Sequence, residues 1–328
     1  MNTMTASMSE GWSYEKAQES AEALEALLNA HGISIKIGSQ LERHVLSTYE
    51  LVEAKRDRRL VSSSTNDARD AYRTLIGMHE ISQQILAVAQ SLHFDALVPH
   101  MRLLNDGNVL QNSKSDVRDA ATNKLFELMV GAAALRFAED VQLDHPVRSP
   151  GDNPDVMLTA DGIKWGVACK VLHSPSAATL MNNIERAVDQ IERSDAEIGI
   201  IAINTKNIIS HEEVWPLSPL DGIAGSKLTT SAWNDCSAPL LLVRSVVSAL
   251  STGLSEQFSL ATLDEVFYGK RCLPGVLFWS ASATAVVVDA KPSPCSVRIA
   301  EFVRIGLLSA NDQLFLSRLS QAFFPERQ

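Results

Sequence analysis

Asp155 and Lys170 lie near the two ends of the stretch Pro154 to Val171, with Asp161-Gly162 between them. Asp-Gly flanked by two strand-like runs predicts a hairpin with a two-residue turn. Residue 160 then faces 163, and stepping outward sets Asp155 opposite Ala168, with Lys170 one diagonal step away on the same face. The other face carries Val156, Leu158, Ile163, Trp165, Val167, Cys169 and Val171, all apolar, and is expected in the core. An acid and an amine are thus projected together from an anchored platform, with roughly 5–8 Å between neighbouring β-carbons. A structural ion pair accounts for these two residues as well as catalysis does.

A second acid lies upstream. Glu127 falls between Phe126 and Leu128 on a helix expected from Asp116 to Phe137, with Val130, Gly131 and Ala134 on the turns above it. An unpaired carboxylate in apolar surroundings is expensive, so Glu127 needs a partner. A metal shared with Asp155 would supply one, and so would a bond to Asn123 or Lys124.

The elements that must position these groups follow from periodicity. Residues Ser13 to about Leu104 are helical in pattern, with helices expected from Ser13 to Ala30, Gln40 to Leu60, Asp67 to Ser91 (capped by Asn66) and Ala96 to Leu104. Asn105 to Lys114 reads as a linker. Beyond it come the helix holding Glu127, a strand in Val141 to Val147, the hairpin, a helix from Ala177 to Arg193 and a strand from Ile198 to Ile203. This α-β-β-β-α-β order predicts an α/β domain with a mixed central sheet flanked by helices. A loop around Pro216 to Gly225, a buried helix near Leu240 to Leu250, strands Val276 to Val288 and Ser296 to Ile305, and a closing helix complete the chain. The expected division is a helical N-terminal domain over 1–110 and an α/β core with a C-terminal extension over 111–328.

In this order the residues resemble the PD-(D/E)XK, or restriction-endonuclease-like, nuclease superfamily. Glu127 on the first helix, Asn153-Pro154-Asp155 at the second strand, Ala168-Cys169-Lys170 on the third and Gln190 on the following helix match its motif positions. The resemblance spans about Asp116 to Asn204. It implies a metal-dependent nuclease that hydrolyses phosphodiester bonds in DNA, of the restriction or antiviral-defence type. By the same resemblance Asp155, Glu127 and the backbone carbonyl of Cys169 would hold Mg2+, with Mn2+ able to substitute. Lys170 would orient water or stabilise developing charge, and Gln190 would support the water or the phosphate. Hard oxygen ligands suit magnesium, which activates water and screens the phosphodiester.

Ala168 departs from the pattern, because the family has Asp or Glu there. Three explanations compete: Glu127 or Asp152 fills the vacancy, the chain is a variant inactivated for study, or the fold is a noncatalytic nucleic-acid-binding or scaffold module. Retention of Asp155, Lys170, Glu127 and Gln190 together argues against the last.

Composition bounds the alternatives. The 328 residues are 45% hydrophobic, 21% charged and 6% aromatic, which suits a globular chain with a sizeable core and excludes disorder and collagen. Cys169, Cys236, Cys272 and Cys295 form no CxxC pair, so a zinc ribbon and a secreted disulfide framework are not indicated, and a reduced, cytoplasmic protein is expected. No signal sequence is evident, and the apolar run Ala238 to Leu250 is short and interrupted by Arg244, so no membrane association is expected. The formal charge of −10 argues against nucleic-acid binding over the whole surface. Lys55, Arg56, Arg58, Arg59, Arg69 and Arg73 form a candidate local track or a solvated helix face. The acidic balance points to substrate access through a partner, such as a helicase or ATPase subunit, or through self-association.

Other signals are weaker. Gly222 to Lys227 lacks Walker A spacing, and His211-Glu212-Glu213 lacks the second zincin histidine and reads as capping or surface polarity. No GxSxG elbow occurs. Cys169 falls on the apolar face, where a thiol is inert packing. His93, His100, His145 and His173 are scattered; His173 could reach a substrate phosphate from the end of the third strand, or serve as a loop residue.

Overall fold

The computed structural model describes residues 4–8, 13–57, 68–116, 119–148, 153–216, 232–289 and 291–325. Three helices open the chain: α1 (Tyr14–Ala30), α2 (Gln40–Arg56) and α3 (Ala68–Leu86). Ser13 and Ser39 cap the first two through their hydroxyls, each satisfying an amide that the first turn leaves without a partner. Gly32, at φ 67°, lets the chain turn just beyond α1. The expected third helix ends at Leu86 rather than Ser91. Its cap Asn66, the basic residues Arg58 and Arg59, Asp152 and most of the 216–225 loop, including Gly222, lie outside the described residues. Only four residues of the expected fourth helix are α-helical, α4 (Val98–Met101), flanked by 3-10 turns Phe94–Leu97 and Arg102–Asn105.

Asn105 to Lys114 is not a solvent-exposed linker. Val109, Leu110, Gln111 and Asn112 are buried. The Asn112 side chain donates to the carbonyl of Arg73, 2.9 Å, and Asn204 donates to Gln111 Oε1, 2.8 Å. The buried Lys206 donates to the carbonyl of Leu110, 2.6 Å, and burial pushes its amine down to about 7. Polar residues that read as a break are here the hydrogen-bonding side of a packed strap.

After the strap come α5 (Ala120–Ala134, capped by Asp119), β2 (Asp140–Leu143), β3 (Val156–Ala160), β4 (Ile163–Val171), α6 (Ala177–Arg193, capped by Ser176) and β5 (Ile198–Asn204). Then follow α7 (Ser237–Gln257), α8 (Leu260–Phe267), β6 (Cys272–Val288), β7 (Lys291–Arg304) and α9 (Ala310–Ala322). An N-terminal strand that the pattern did not suggest, β1 (Met4–Met8), pairs with β7. The seven strands form one mixed sheet in the order β1-β7-β6-β5-β4-β3-β2, parallel only at β4/β5 and β5/β6. The expected α/β class with a mixed, helix-flanked sheet is the architecture found.

The hairpin register is the one that Asp161-Gly162 predicts. Ala160 faces Ile163, Leu158 faces Trp165 and Val156 faces Val167, and both turn residues have positive φ, 51° and 72°. Strand alternation then separates two apolar layers. Val156, Trp165, Val167 and Cys169 join Ile200, Ala202, Leu277 and Trp279 under α5 and α9, where Trp165 stacks on Phe315 with centroids 3.7 Å apart. Ala168, Leu172, Ile201, Ile203 and Phe278 face α6, α7 and α8 instead. Helices α1 to α3 contribute Leu24, Leu41, Val45 and Ile81 to the first layer, so the change of secondary structure near residue 110 is bridged by continuous apolar packing.

Helix α7 is not fully buried as expected. Val243, Val247, Leu250 and Leu254 pack inward, whereas Leu241 is 63% and Leu242 38% exposed. By length and composition it is the single helix among the described residues apolar enough to cross a membrane, with 28% of that window buried.

One glycine fixes where β3 begins. A Cβ on Gly166 would stand 2.8 Å from Pro154 Cγ and 3.0 Å from Ala196 Cβ, so Pro154 can cross β4 only where no side chain rises. Gly166→Ala is expected to lower unfolding free energy by about 1–3 kcal/mol through overpacking, read as a lower midpoint in urea with an unchanged slope.

Candidate functional site

Because Pro154 turns away across Gly166, β3 stops pairing with β4 at Val156, and the edge of β4 beyond Val167 is left without a backbone partner from β3. Asp155 fills that gap with its side chain. Its carbonyl still accepts from the amide of Asp144, 3.0 Å, continuing the ladder toward β2. Its Oδ2 accepts from the amide of Cys169, 2.7 Å. The carboxylate thereby takes the place of a missing strand residue, which fixes its orientation.

Lys170 Nζ lies 3.7 Å from the same Asp155 oxygen and donates to Gln190 Oε1 at 2.8 Å. The Gln190 amide in turn donates to the carbonyl of Asn153. One residue of α6 therefore holds both the lysine and the backbone just before Asp155. Gln190 can do this because α6 packs Leu180, Ile184, Ala187 and Ile191 onto the sheet, a stripe at helical spacing that sets its rotation.

On the other side of Asp155 stands α5. Lys124 Nζ is 3.8 Å from Asp155 Oδ1, 2.8 Å from Glu127 Oε1 and 3.0 Å from Glu127 Oε2. His100 Nε2 lies 3.0 Å from Glu127 Oε2. The side chain of Glu127 is 4% exposed and that of His100 fully buried, whereas Lys124 and Lys170 are 22% and 21% exposed. Two acids at the bottom are thus closed over by two lysines at the rim. Asp155, Lys170, Gln190 and Glu127 are brought together, Glu127 by way of Lys124.

The electrostatics follow from this arrangement. Burial pushes Glu127 up to about 9, and the neighbouring Asp155 adds to the rise against the opposing pull of Lys124. Burial pushes His100 down to about 3, helped by Lys124 and His145. Glu127 Oε2 and His100 Nε2 share one hydrogen bond. Burial works against the charge on Lys124, but Glu127 and Asp155 outweigh it and raise the amine. Asp155 is thus flanked by two ammoniums, Lys124 on one oxygen and Lys170 on the other.

His100 and Lys124 are the members that sequence reasoning did not assign to the site. Lys124 was visible as a neighbour three residues from Glu127, on the same helix face. His100 had no local signal: its 3-10 and α4 surroundings reach Glu127 only through tertiary packing. Ala168, the expected acid position, is fully buried among Leu172, Leu180, Ile184 and Ile201, so its side chain faces hydrocarbon beneath α6 and not an open slot. Burial, then Asp155 and Glu127, push the Cys169 thiol well up, in keeping with inert packing.

The remaining candidates have other partners. His173 pairs with the Asn207 side chain, 3.0 Å, and Asn207 accepts from the amide of Ser115, 2.7 Å. Arg73 bonds Glu212 at 2.7 Å and Arg69 approaches it at 3.6 Å, so this part of the basic track is engaged within the fold. His211 is not at the surface: it is buried between the Lys206 carbonyl, 2.8 Å, and Ser282 Oγ, 2.9 Å. Among the described residues no group of three or more His, Cys, Asp and Glu is assembled for a metal. No family model, curated protein or solved structure matches this chain.

Glu127 gives the site a pH signature. A carboxyl held above its ordinary value near 4.5 favours the fold while protonated, and that contribution is lost as pH rises toward about 9. Glu127→Gln keeps a hydrogen-bonding side chain of the same size and cannot ionise. Between about pH 5 and about pH 8.5 the wild type is expected to lose more of its urea midpoint than Glu127→Gln; parallel losses would show that Glu127 does not titrate in this way.

Proposed function

We propose that this chain is a metal-dependent phosphodiesterase acting on nucleic acid, DNA in the first instance, built on a restriction-endonuclease-like core. The observation that carries the reading is the meeting of Glu127 from α5, Asp155 from the start of β3 and Lys170 from β4 around one point, with Gln190 from α6 behind the lysine. The run α5-β2-β3-β4-α6-β5 delivers them in the order that the PD-(D/E)XK resemblance implies.

The donor set fits a hard divalent cation such as Mg2+ or Mn2+. The Lys124 ammonium lies within 4 Å of both carboxylates, so the two acids already open onto a common cationic position. Glu127, Asp155 and the carbonyl of Cys169 would hold the ion; in an extended strand that carbonyl projects to the same side as the amide that Asp155 accepts. When bound, such an ion polarises a phosphoryl oxygen and makes its water more acidic. Lys170, steadied by Gln190, orients the attacking water or neutralises the developing charge on the phosphate. Asp155 keeps the lysine within ion-pair distance, and the Cys169 amide keeps Asp155 from rotating. The formal charge of −10 supports delivery of the substrate by a partner, such as a helicase or ATPase subunit, or by self-association. A role in restriction or antiviral defence, in the cytoplasm, belongs to the same proposal.

A second reading is favoured by two observations. Ala168 is packed in hydrocarbon, and Lys124 and Lys170 neutralise the acids without any added ion. Both suit a noncatalytic nucleic-acid-binding scaffold with a vestigial site.

Asp155→Asn keeps an acceptor for the Cys169 amide while removing the charge, and Lys170→Met keeps the aliphatic stem. Each is expected to abolish Mg2+- or Mn2+-dependent cleavage of DNA by at least about a hundredfold, with circular dichroism and melting temperature close to wild type. Undiminished cleavage by both variants refutes the site. Binding without cleavage by the wild type supports the scaffold.

A further inference from the structure

Among the described residues Lys124 is the cationic group within ion-pair distance of both acids. Its ammonium contacts the two oxygens of Glu127 at 2.8 and 3.0 Å and approaches Asp155 Oδ1 at 3.8 Å. Lys170 is placed differently: it approaches Asp155 from the other oxygen and gives its hydrogen bond to Gln190. An ion of the Mg2+ type sits about 2.0–2.1 Å from its oxygen ligands. An ammonium at hydrogen-bond distance from both Glu127 oxygens and within 4 Å of Asp155 Oδ1 occupies that volume, and two cations cannot share it at such separations.

The lysine is also free to leave. It sits one turn before Glu127 on α5, and its side chain is 22% exposed while those of Glu127 and Asp155 are 4% and 9% exposed. Its four-carbon stem can carry the charge out to water without movement of the helix.

We propose that Lys124 is a built-in counter-ion for the Glu127–Asp155 pair, which a divalent cation has to displace in order to bind, so that metal entry is accompanied by exit of the Lys124 ammonium to solvent. This rests on the metal-site reading above and adds to it a gate made from the chain's own residues. Without metal the lysine keeps the acids from meeting as uncompensated charges. With metal it becomes a mobile cation at the mouth of the site. The apparent metal affinity is then set by the difference between two cations, not by the carboxylates alone.

The test uses the full chain and Mn2+, with free ion followed by electron paramagnetic resonance. Lys124→Met, which keeps the stem and loses the charge, is expected to bind Mn2+ at least about tenfold more tightly than wild type, and Asp155→Asn to lose binding. Equal or weaker binding by Lys124→Met, while wild type binds saturably, overturns the counter-ion role and leaves the metal site standing. No saturable binding by either protein overturns both. A measurement on the wild type keeps the proposal exposed should Lys124→Met fold poorly: acetylation of lysines by an activated ester, mapped by mass spectrometry. Labelling of Lys124 is expected to rise several-fold on adding Mn2+ and to stay constant in Asp155→Asn. Constant labelling in wild type under conditions where Mn2+ is bound overturns the displacement.

Discussion

The hydrogen bond from the Cys169 amide to Asp155 Oδ2 is the contact on which the rest of the site depends. It exists because β3 ends one residue too early for its backbone to serve β4, and β3 ends there because Pro154 crosses Gly166. A buried amide without an acceptor costs about 1–3 kcal/mol, so the carboxylate is held at the strand edge by the backbone's own need. Its second oxygen is then directed toward α5, and Lys170, next along β4, falls within ion-pair distance of the first. Three elements converge because one strand is short.

Charge determines what that convergence can be. Two carboxylates brought together under apolar cover would be unstable alone, and the structure meets this in three ways at once: Lys124 bridges them, Lys170 flanks one, and His100 hydrogen-bonds Glu127. Exposed ion pairs are worth ~0–1 kcal/mol, but acids that are 4% and 9% exposed draw more from their partners, since little water competes. A compensated cluster of this kind needs no added ion, and its neutralising groups sit at the rim on flexible stems. Buried apolar packing at Ala168 removes the extra acid that would otherwise raise this electrostatic cost.

Much of this was legible in the sequence, for local reasons. Asp161-Gly162 sets a register that propagates without error to Val156, and the stripe Leu180, Ile184, Ala187, Ile191 turns Gln190 toward Lys170. Helix α6 begins and ends where Ser176 and the apolar period place it. What failed to show was non-local. His100 reaches Glu127 from α4, a four-residue helix too short to show a period, and β1 is placed by its pairing with β7, far away in the chain. The polar stretch 105–114 reads as a break because composition reports hydrogen-bonding capacity, whereas its partners Arg73, Asn204 and Lys206 are far away in the chain. Residue 168 reads as the position of a missing acid, and nothing in its sequence neighbours distinguishes that from the packing position it occupies against α6.

The strap also changes what the N-terminal helices are. It runs straight on from the turns that carry His100, and it is tied to the end of β5 by the Lys206 amine and the Asn204 amide. A buried amine held by a carbonyl is tolerable only while that acceptor stays in place, so Lys206 penalises any displacement of Leu110. The same N-terminal region supplies His100 to Glu127, so the α/β core and the helical region meet at one buried hydrogen bond. The boundary that periodicity draws near residue 110 separates two kinds of secondary structure but not two sets of interactions: the contact between His100 and Glu127 belongs to both.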